Sequence, residues 1–358
     1  MSPIEFNRRI EAIPIYPAAE TYEYGGELVK LASNETPWGP PPPVMEAIQN
    51  HLAGLNRYPD PDKSLLRRRI AERCDVSPAM VAVGNGSCEI LLAAAEAMLE
   101  PGAEIVYAWP SFSMYPHLAA MSGARAITVP LDADGRHDLE AMAREVTHAT
   151  RLLLVCNPNN PTATALPLAE LDDFIAELPR HVAVLIDEAY VEFSTLQDPD
   201  GSLDLVRRHP NAVLLRTFSK VYGLCGLRAG YAIGSEEFRL AVDRVRQPFS
   251  VNALAQAAAA EALLHQDEVE RRVERTAIER LHVESALEER GLPSTDSQAN
   301  FSWVSLGDRD ETEVVRGLAE RGVIVRAGKA LGAEGWLRIT YGTRPENDRL
   351  IAALDEIV

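Results

Sequence analysis

Between residues 80 and 234, short apolar segments alternate with segments of helical periodicity. The apolar runs MVAVG, RLLLVC, HVAVLI and AVLLRT are nearly uninterrupted, which is typical of parallel strands buried on both faces. Helical patterns such as ILLAAAEAML and LAELDDFIAEL lie between these runs. This alternation predicts an α/β fold, in which helices cover both faces of a mostly parallel sheet.

The character of the chain changes on either side of this region. Residues 1–45 are rich in proline and aromatic side chains, which excludes a long helix and favours an ordered arm over a floppy tail. After residue 250, two long helical patterns precede a second alternation of strands and helices. We therefore predict an arm at 1–45 that packs with the small domain or a partner subunit, a large domain at 46–250, and a smaller α+β domain at 251–358.

The composition excludes several classes of protein. A net charge of −18 over 358 residues argues against a nucleic-acid surface, which would be basic. No apolar run approaches the ~20 residues of a membrane span, and the N-terminus lacks the apolar core of a signal peptide, so we expect a cytoplasmic protein. The cysteines form no CxxC motif and the histidines no HxxxH pair, so we expect no metal site.

Polar side chains follow three of the predicted strands directly. Asn160 belongs to the turn NPNNPT after one strand, Asp187 ends the next, and Lys220 follows the third. The carboxyl ends of parallel strands meet at one edge of a sheet, where α/β proteins bind their ligands. The sequence therefore predicts that these three side chains share one crevice.

Lys220 is one of only four lysines in a chain whose other basic residues are arginines. It is either a surface lysine or an amine kept for its chemistry, because a desolvated lysine has a tunable pKa and can condense with a carbonyl group. Its context favours chemistry. Nearby glycines, Gly223, Gly226 and Gly230, permit close approach of the backbone, and Arg228 offers a planar fork for a phosphate.

The other residues of the crevice each have a structural alternative. Asp187 is a salt-bridge partner or a carboxylate that keeps a pyridine nitrogen protonated. The turn GNGSCE at 84–89 is an ordinary strand-to-helix turn or an anion site. Phe112 belongs to the core or stacks on a ring. Asn160 and Tyr190 are turn residues or hydrogen-bond donors to a ring oxygen. Together with Lys220, these groups are what a pyridoxal phosphate site requires.

The stretches LASNETPWGP, RYPDP, VGNGSCE, NPNNPT, IDEAYVEF, RTFSKVYGLCGLRAGYAIG, GVIVR and LRITYGT carry a resemblance that extends over nearly the whole chain. In them the sequence resembles the fold-type I, aspartate-aminotransferase-like enzymes, and within these the histidinol-phosphate aminotransferase family. The resemblance implies a fold-type I pyridoxal-phosphate-dependent transferase with a large and a small domain.

The resemblance also implies a role for each site residue. The implied catalytic residues are Lys220, which carries the cofactor and moves the proton, with Asp187 and Tyr190. The implied cofactor-binding residues are Ser87, Cys88, Phe112, Asn160, Asp187, Tyr190, Thr217, Ser219, Lys220 and Arg228, together with Tyr58 from the neighbouring subunit of a homodimer. The implied substrate-binding residues are Tyr16, Asn34, Arg326 and Arg338.

An aminotransferase of this kind moves an amino group from a small-molecule donor to a 2-oxo acid. The resemblance implies histidinol phosphate and 2-oxoglutarate, a reaction of histidine biosynthesis. The alternatives are an aromatic amino-acid aminotransferase and a decarboxylase of the phosphothreonine type. A cofactor-binding regulator is disfavoured, because 358 residues leave no room for a DNA-binding extension and the chain is acidic.

The sequence departs from the family pattern at two positions. Ala163 stands where the family has glycine after NPNNPT, and its Cβ is expected to strain the turn. Cys88 stands where the family has aspartate. This change matters little if only the backbone amide of Cys88 is used, whereas a role for the acid side chain would affect phosphate or cofactor orientation.

Overall fold

We describe a computed structural model of the chain, covering residues 4–6, 11, 13, 15, 24–196 and 198–358. Most of the first half of the predicted arm, including Tyr16, lies outside the described residues. Within the described part of the chain, no helix is both long and apolar enough to cross a membrane. The same residues contain no group of three or more metal-ligating side chains suited to hold an ion.

The helices and strands alternate along most of the chain. The helices are α1 Pro42–Leu52, α2 Ser64–Cys74, α3 Ser87–Met98, α4 Tyr115–Ser122, α5 Leu139–Arg144, α6 Leu168–Glu177, α7 Leu203–Arg208, α8 Glu236–Val245, α9 Ala253–Ala262, α10 Gln266–Glu289, α11 Glu311–Glu320 and α12 Arg344–Asp355. The strands are β1 Val29–Lys30, β2 Val81–Gly84, β3 Glu104–Trp109, β4 Arg125–Pro130, β5 Thr150–Cys156, β6 Ala183–Asp187, β7 Ala212–Thr217, β8 Gly230–Ile233, β9 Phe301–Ser305, β10 Val323–Ile324, β11 Arg326–Ala327 and β12 Trp336–Thr340.

The large sheet has seven strands in the order β2-β8-β7-β6-β5-β3-β4. Strands β3 to β7 pair in parallel, whereas β8 runs antiparallel to both of its neighbours. Register brings Cys156 at the end of β5 opposite Asp187 at the end of β6, and Asp187 opposite Leu215 of β7. The predicted mostly parallel sheet is therefore confirmed, and its strand ends meet at one edge.

Apolar side chains on both faces of this sheet are buried, as continuous apolar strands require. Leu153 and Ile186 belong to the core on one face, and Leu154 and Leu185 to the core on the other. Because side chains alternate along a strand, Asp187 emerges on the face of Leu185, whereas the following residue turns to the opposite face. Neighbouring residues at one strand end therefore face two different environments, one on each side of the sheet.

A second unit contains the antiparallel sheet β11-β12-β9, packed with α10, α11 and α12 around a separate apolar core. The chain before α1 reaches this unit, since β1 pairs in parallel with β10 through Val29 and Val323. Helix α9 packs against α1 and α2, so the polypeptide stays with the first unit until α10 begins.

A buried ion pair connects the ends of β6 and β7 behind the crevice. The Nε atom of Arg216 donates to Oε2 of Glu188 at 2.8 Å, and both side chains are buried. A second nitrogen of Arg216 donates to the carbonyl of Pro199 at 2.6 Å. Since Arg216 immediately precedes Thr217, this pair sets where the chain leaves the sheet toward Lys220.

Replacing Arg216 by leucine leaves the carboxylate of Glu188 buried without its cation. We expect the free energy of unfolding to fall by about 3–5 kcal/mol, measured by urea denaturation, and Glu188→Leu in the same chain to recover part of this loss. The exposed Arg144–Glu140 pair provides the control, because Arg144→Leu is expected to change stability by less than about 1 kcal/mol. Equal effects of the two arginine substitutions would contradict this account.

Candidate active site

A cavity of about 400 Å³ opens at the carboxyl ends of β5, β6 and β7. It collects most of the residues that the sequence pointed to as cofactor-binding. They are Ser87, Cys88, Phe112, Asn160, Asp187, Tyr190, Thr217, Ser219, Lys220 and Arg228. The predicted shared crevice is therefore present, and its walls combine an amine, a carboxylate, a phenol and several hydrogen-bond donors.

Asp187 lines this cavity and is only 3% exposed. Burial raises the pKa of Asp187 to about 6, and this rise is opposed by hydrogen bonds to the carboxylate. The Tyr115 hydroxyl donates to Oδ2 at 3.2 Å, and the Ala189 amide donates to Oδ1 at 3.3 Å. A desolvated carboxylate held in one orientation is stabilised most by a hydrogen bond from a cationic N–H group inside the cavity.

Lys220 follows β7 by three residues and is half-buried in the cavity wall. Its Nζ atom donates to the carbonyl of Ser33 at 3.1 Å and lies 5.6 Å from the ring centroid of Tyr190. Burial, and secondly the positive charge of Arg338, lower the pKa of Lys220 to about 8. An amine with this pKa exchanges protons readily near neutral pH, as a general acid–base group must.

The phenol of Tyr190 is the centre of a buried hydrogen-bond network. Asn34 donates to the Tyr190 hydroxyl at 3.0 Å, and Asn160 donates to it at 3.3 Å. Arg338 in turn donates to the side-chain oxygen of Asn160 at 2.7 Å. Burial raises the pKa of Tyr190, so its hydroxyl keeps its proton and can donate into the cavity.

The start of helix α3 forms an anion cradle on the other side of the cavity. The residue before the helix, Gly86, has φ of 75°, and a Cβ there would lie 2.5 Å from Nη2 of Arg228. A Cβ on Gly230 would collide with the backbone amide of Ser87. Glycine is thus required at both positions, because the guanidinium and the helix N-terminus approach each other closely.

Arg228 is held in this cradle by its own loop. Its Nη1 atom donates to the carbonyl of Cys225 at 2.9 Å and to the hydroxyl of Ser219 at 3.4 Å. Its backbone has φ of 61°, which turns the chain between the strand end and β8. A guanidinium, hydroxyl groups and helix amides that face one point suit a phosphate group.

The two departures from the family pattern have different consequences. Ala163 has φ of 60° and is fully buried, so an alanine occupies the left-handed conformation that glycine favours. Asn160 keeps its contacts with Tyr190 and Arg338 despite this turn. Cys88 lies half-buried in the cavity wall, and burial raises the pKa of its thiol, so the family's aspartate is replaced by a neutral group.

Several predicted residues lie around the cavity rather than in its wall. Asn34 and Arg338 reach it through Tyr190 and Asn160. Arg326 is buried on β11 directly opposite Arg338 on β12. Tyr58 is 82% exposed and stacks on Phe249, with ring centroids 4.6 Å apart, so it does not line this cavity. Tyr16 falls outside the described residues.

Sequence reasoning missed other residues that line the cavity or support its wall. Tyr115, which donates to Asp187, begins α4 three residues after Phe112, and nothing in the local pattern separates it from a core tyrosine. Cys156 lines the cavity because it ends β5 opposite Asp187, a neighbour relation that strand order supplies. Ser33 and Glu35 also line the cavity, and they come from a segment without helical or strand periodicity.

The family model "Aminotransferase class I and II" matches residues 26–354, and the chain belongs to this family. The chain is 41% identical over 361 residues to the histidinol-phosphate aminotransferase of Geobacillus thermodenitrificans (strain NG80-2), covering 99% of this chain and 98% of the relative. It is 44% identical over 346 residues to the aromatic amino acid aminotransferase of Thermobifida fusca (strain YX), covering 96% and 94%.

A solved structure shares the same fold. The crystal structure of histidinol-phosphate aminotransferase from Sinorhizobium meliloti in complex with pyridoxal-5'-phosphate matches with a TM-score of 0.90 at 28% identity, over 98% of this chain and 97% of that one. These matches confirm the fold class and the aminotransferase activity that the resemblance implied. The chain is therefore an aminotransferase with an α/β fold.

The lowered pKa of Lys220 predicts its pattern of chemical labelling. In cofactor-free protein, a lowered pKa leaves more of the amine unprotonated at a given pH, so acetylation by acetic anhydride should rise with a midpoint at a pH of about 8. Arg338→Gln removes a neighbouring positive charge and should move this midpoint to higher pH. Peptide mass spectrometry measures both, with Lys30 and Lys329 as internal controls. A midpoint near the ~10.4 of an ordinary lysine would contradict the assignment.

Proposed function

We propose that this aminotransferase uses pyridoxal 5'-phosphate to convert L-histidinol phosphate and 2-oxoglutarate into imidazole-acetol phosphate and L-glutamate. One observation carries the cofactor assignment: the amine of Lys220, the buried carboxylate of Asp187 and the anion cradle at α3 face the same cavity of about 400 Å³. The substrate assignment is supported by relatives that bear this name at 41–43% identity.

The residues present fit this cofactor. Asp187 would accept a hydrogen bond from the protonated ring nitrogen, and Asn160 and Tyr190 would donate to the ring hydroxyl oxygen. Phe112 would cover one face of the ring. The phosphate would bind where Gly86 lets Arg228 approach the start of α3, with further donors from the residues Ser87, Cys88, Thr217 and Ser219. When bound, the cofactor supplies an electron sink for the bonds to the substrate Cα.

Lys220 provides the acid–base chemistry. With its pKa at about 8, roughly a tenth of the free amine is unprotonated at pH 7, enough to accept a proton from the substrate Cα and return it to the adjacent reacting carbon. The half-buried position of Nζ, beside the Ser33 carbonyl and the Tyr190 ring, limits competition from water.

Two arginines support an anionic substrate. Arg326 and Arg338 are directly opposite each other on β11 and β12, and both are buried. Like charges at opposite positions of an antiparallel pair destabilise the sheet, so an anion beside them is favoured. The phosphate of histidinol phosphate and the carboxylates of 2-oxoglutarate are both anions that could bind beside these arginines. One site could therefore accept the substrates of both half-reactions.

The second candidate is an aromatic amino-acid aminotransferase. It is favoured by relatives of that name, such as the Thermobifida fusca protein, which matches the chain as well as the histidinol-phosphate enzymes do. The same cavity accepts an aromatic ring with a carboxylate, so the two candidates differ in which anion the arginines prefer. A phosphothreonine-type decarboxylase differs from both because it releases carbon dioxide.

A panel of single half-reactions separates these substrates. Purified protein should be yellow, and the visible absorption of the cofactor should change fastest with histidinol phosphate, more slowly with phenylalanine and not with phosphothreonine. The measurement is stopped-flow absorbance, followed by product analysis and a carbon dioxide assay. Lys220→Ala is the control and should lose turnover by a factor of at least about 10⁴.

Two outcomes would overturn the assignment at different levels. Faster conversion of phenylalanine than of histidinol phosphate would replace the substrate while leaving the aminotransferase class intact. A colourless protein with full activity, or full turnover by Lys220→Ala, would end the cofactor assignment itself.

We also propose a homodimer in which each subunit completes the site of the other. The side chain of Tyr58 is exposed and does not line the cavity of its own subunit, although it is held by stacking on Phe249. Exposed apolar side chains lie near it in sequence, at Leu52, Leu55 and Leu65. An ordered, exposed aromatic residue in an apolar surface suits a contact with a second copy.

Mixed dimers test whether Tyr58 acts across the interface. Lys220→Ala and Tyr58→Ala chains should each have low activity alone. When they are coexpressed, the hybrid dimer contains one site with both defects and one intact site, so random assembly should restore about a quarter of wild-type activity. If Tyr58 serves its own subunit, the hybrid has no intact site and activity stays at the level of the separate variants.

A further inference from the structure

Three basic side chains near the start of α2 each place a nitrogen atom in the protein interior without a hydrogen-bond acceptor among the described residues. The atoms are Nζ of Lys63, Nε of Arg67 and Nη1 of Arg246. Buried donors in native proteins are almost always paired, and a buried cation without an acceptor is strongly disfavoured. None of the three residues lines the cavity of the candidate active site.

Lys63 is the most unusual of the three. Its exposure is 0%, and its backbone has φ of 49°, in the left-handed region that favours glycine. One residue therefore combines a strained backbone with a fully buried amine that has no partner among the described residues. Each of these features is unfavourable by itself, and a bound anion is one way in which a site of this kind is stabilised.

The guanidinium groups of Arg67 and Arg246 meet at the carboxylate of Asp243. Arg67 lies in the first turn of α2, and its amide donates to the Lys63 carbonyl at 2.8 Å, so the two residues are joined by the first backbone hydrogen bond of the helix. Asp243 accepts from Nη2 of Arg67 at 3.2 Å and from Nε of Arg246 at 2.7 Å. Arg246 also donates to the carbonyl of Pro61, at 3.5 Å, in the loop before Lys63.

Two acids of this region are already engaged by hydrogen bonds, and a third, Asp62, attracts Arg246 by its charge. Both oxygens of Asp243 accept from guanidinium groups, since Arg239 also donates to Oδ2 at 3.0 Å. The carboxylate of Asp60 accepts from the backbone amides of residues 62 and 64, at 2.9 and 2.7 Å, and is exposed. Within the part of the chain that the structure describes, none of these three carboxylates accepts a hydrogen bond from the three buried nitrogen atoms.

We propose that Lys63, Arg67 and Arg246 bind a small inorganic anion, a halide or a tetrahedral oxyanion, enclosed beneath the loop that carries Tyr58. Such an ion accepts hydrogen bonds from all three nitrogen atoms at once and balances the charge of Lys63. It stabilises the loop before α2 from inside. This site is separate from the phosphate cradle at α3 and does not depend on the reaction that the enzyme catalyses.

Bromide soaking tests the site directly in the wild-type holoenzyme. Crystals soaked in sodium bromide should give an anomalous peak at hydrogen-bond distance from Lys63 Nζ. Parallel soaks in phosphate and in sulfate should show whether tetrahedral density appears at the position of the bromide peak. A water molecule, a carboxylate from a second copy or an absence of density at this position would each overturn the proposal.

Thermal unfolding of the holoenzyme gives a second test in solution. A ligand that binds only the folded state raises the Tm as its concentration increases. When chloride or phosphate replaces gluconate at constant ionic strength, the Tm of wild type and of the exposed-lysine control Lys30→Met should rise. The Lys63→Met variant should lose this rise in Tm. If Lys63→Met fails to fold, Lys63→Gly serves as a second variant, because glycine suits the positive φ at this position. Equal rises in all proteins would contradict the proposal.

Discussion

The removal of charged side chains from water at the strand ends is the constraint on which the rest of this structure depends. The parallel sheet brings the ends of β5, β6 and β7 together. Asp187 and Lys220 are both desolvated there, and their pKa values shift in opposite directions. Burial raises the pKa of Asp187 to about 6 and lowers the pKa of Lys220 to about 8. The pKa of each group is thereby moved toward neutral pH, where the group can exchange protons.

The alternation of side chains along a strand allows this arrangement. Asp187 faces the cavity, whereas Glu188 turns to the opposite face and pairs with Arg216. The same strand ends therefore carry a stabilising ion pair on one side and reactive groups on the other. A rigid scaffold behind the site is what keeps the orientation of the reactive groups constant.

The site also depends on parts of the chain that are distant in sequence. The phenol of Tyr190 accepts from Asn34, before α1, and from Asn160, which in turn binds Arg338 on β12. Three regions of the chain thus contribute to one network. Because a buried network is stable only when its members are all satisfied, the position of β12 is coupled to the geometry of the cavity.

The sequence by itself determined the mostly parallel sheet, a long helix after residue 250, which is α10, and the gathering of Asn160, Asp187 and Lys220 at one edge. These features follow from local periodicity and from the residues that end each strand. Only the tertiary structure decided that Tyr115 supports Asp187 and that Lys63 is buried with no acceptor among the residues that the structure describes. Both depend on which side chains meet across elements far apart in the chain, and no local pattern encodes such contacts.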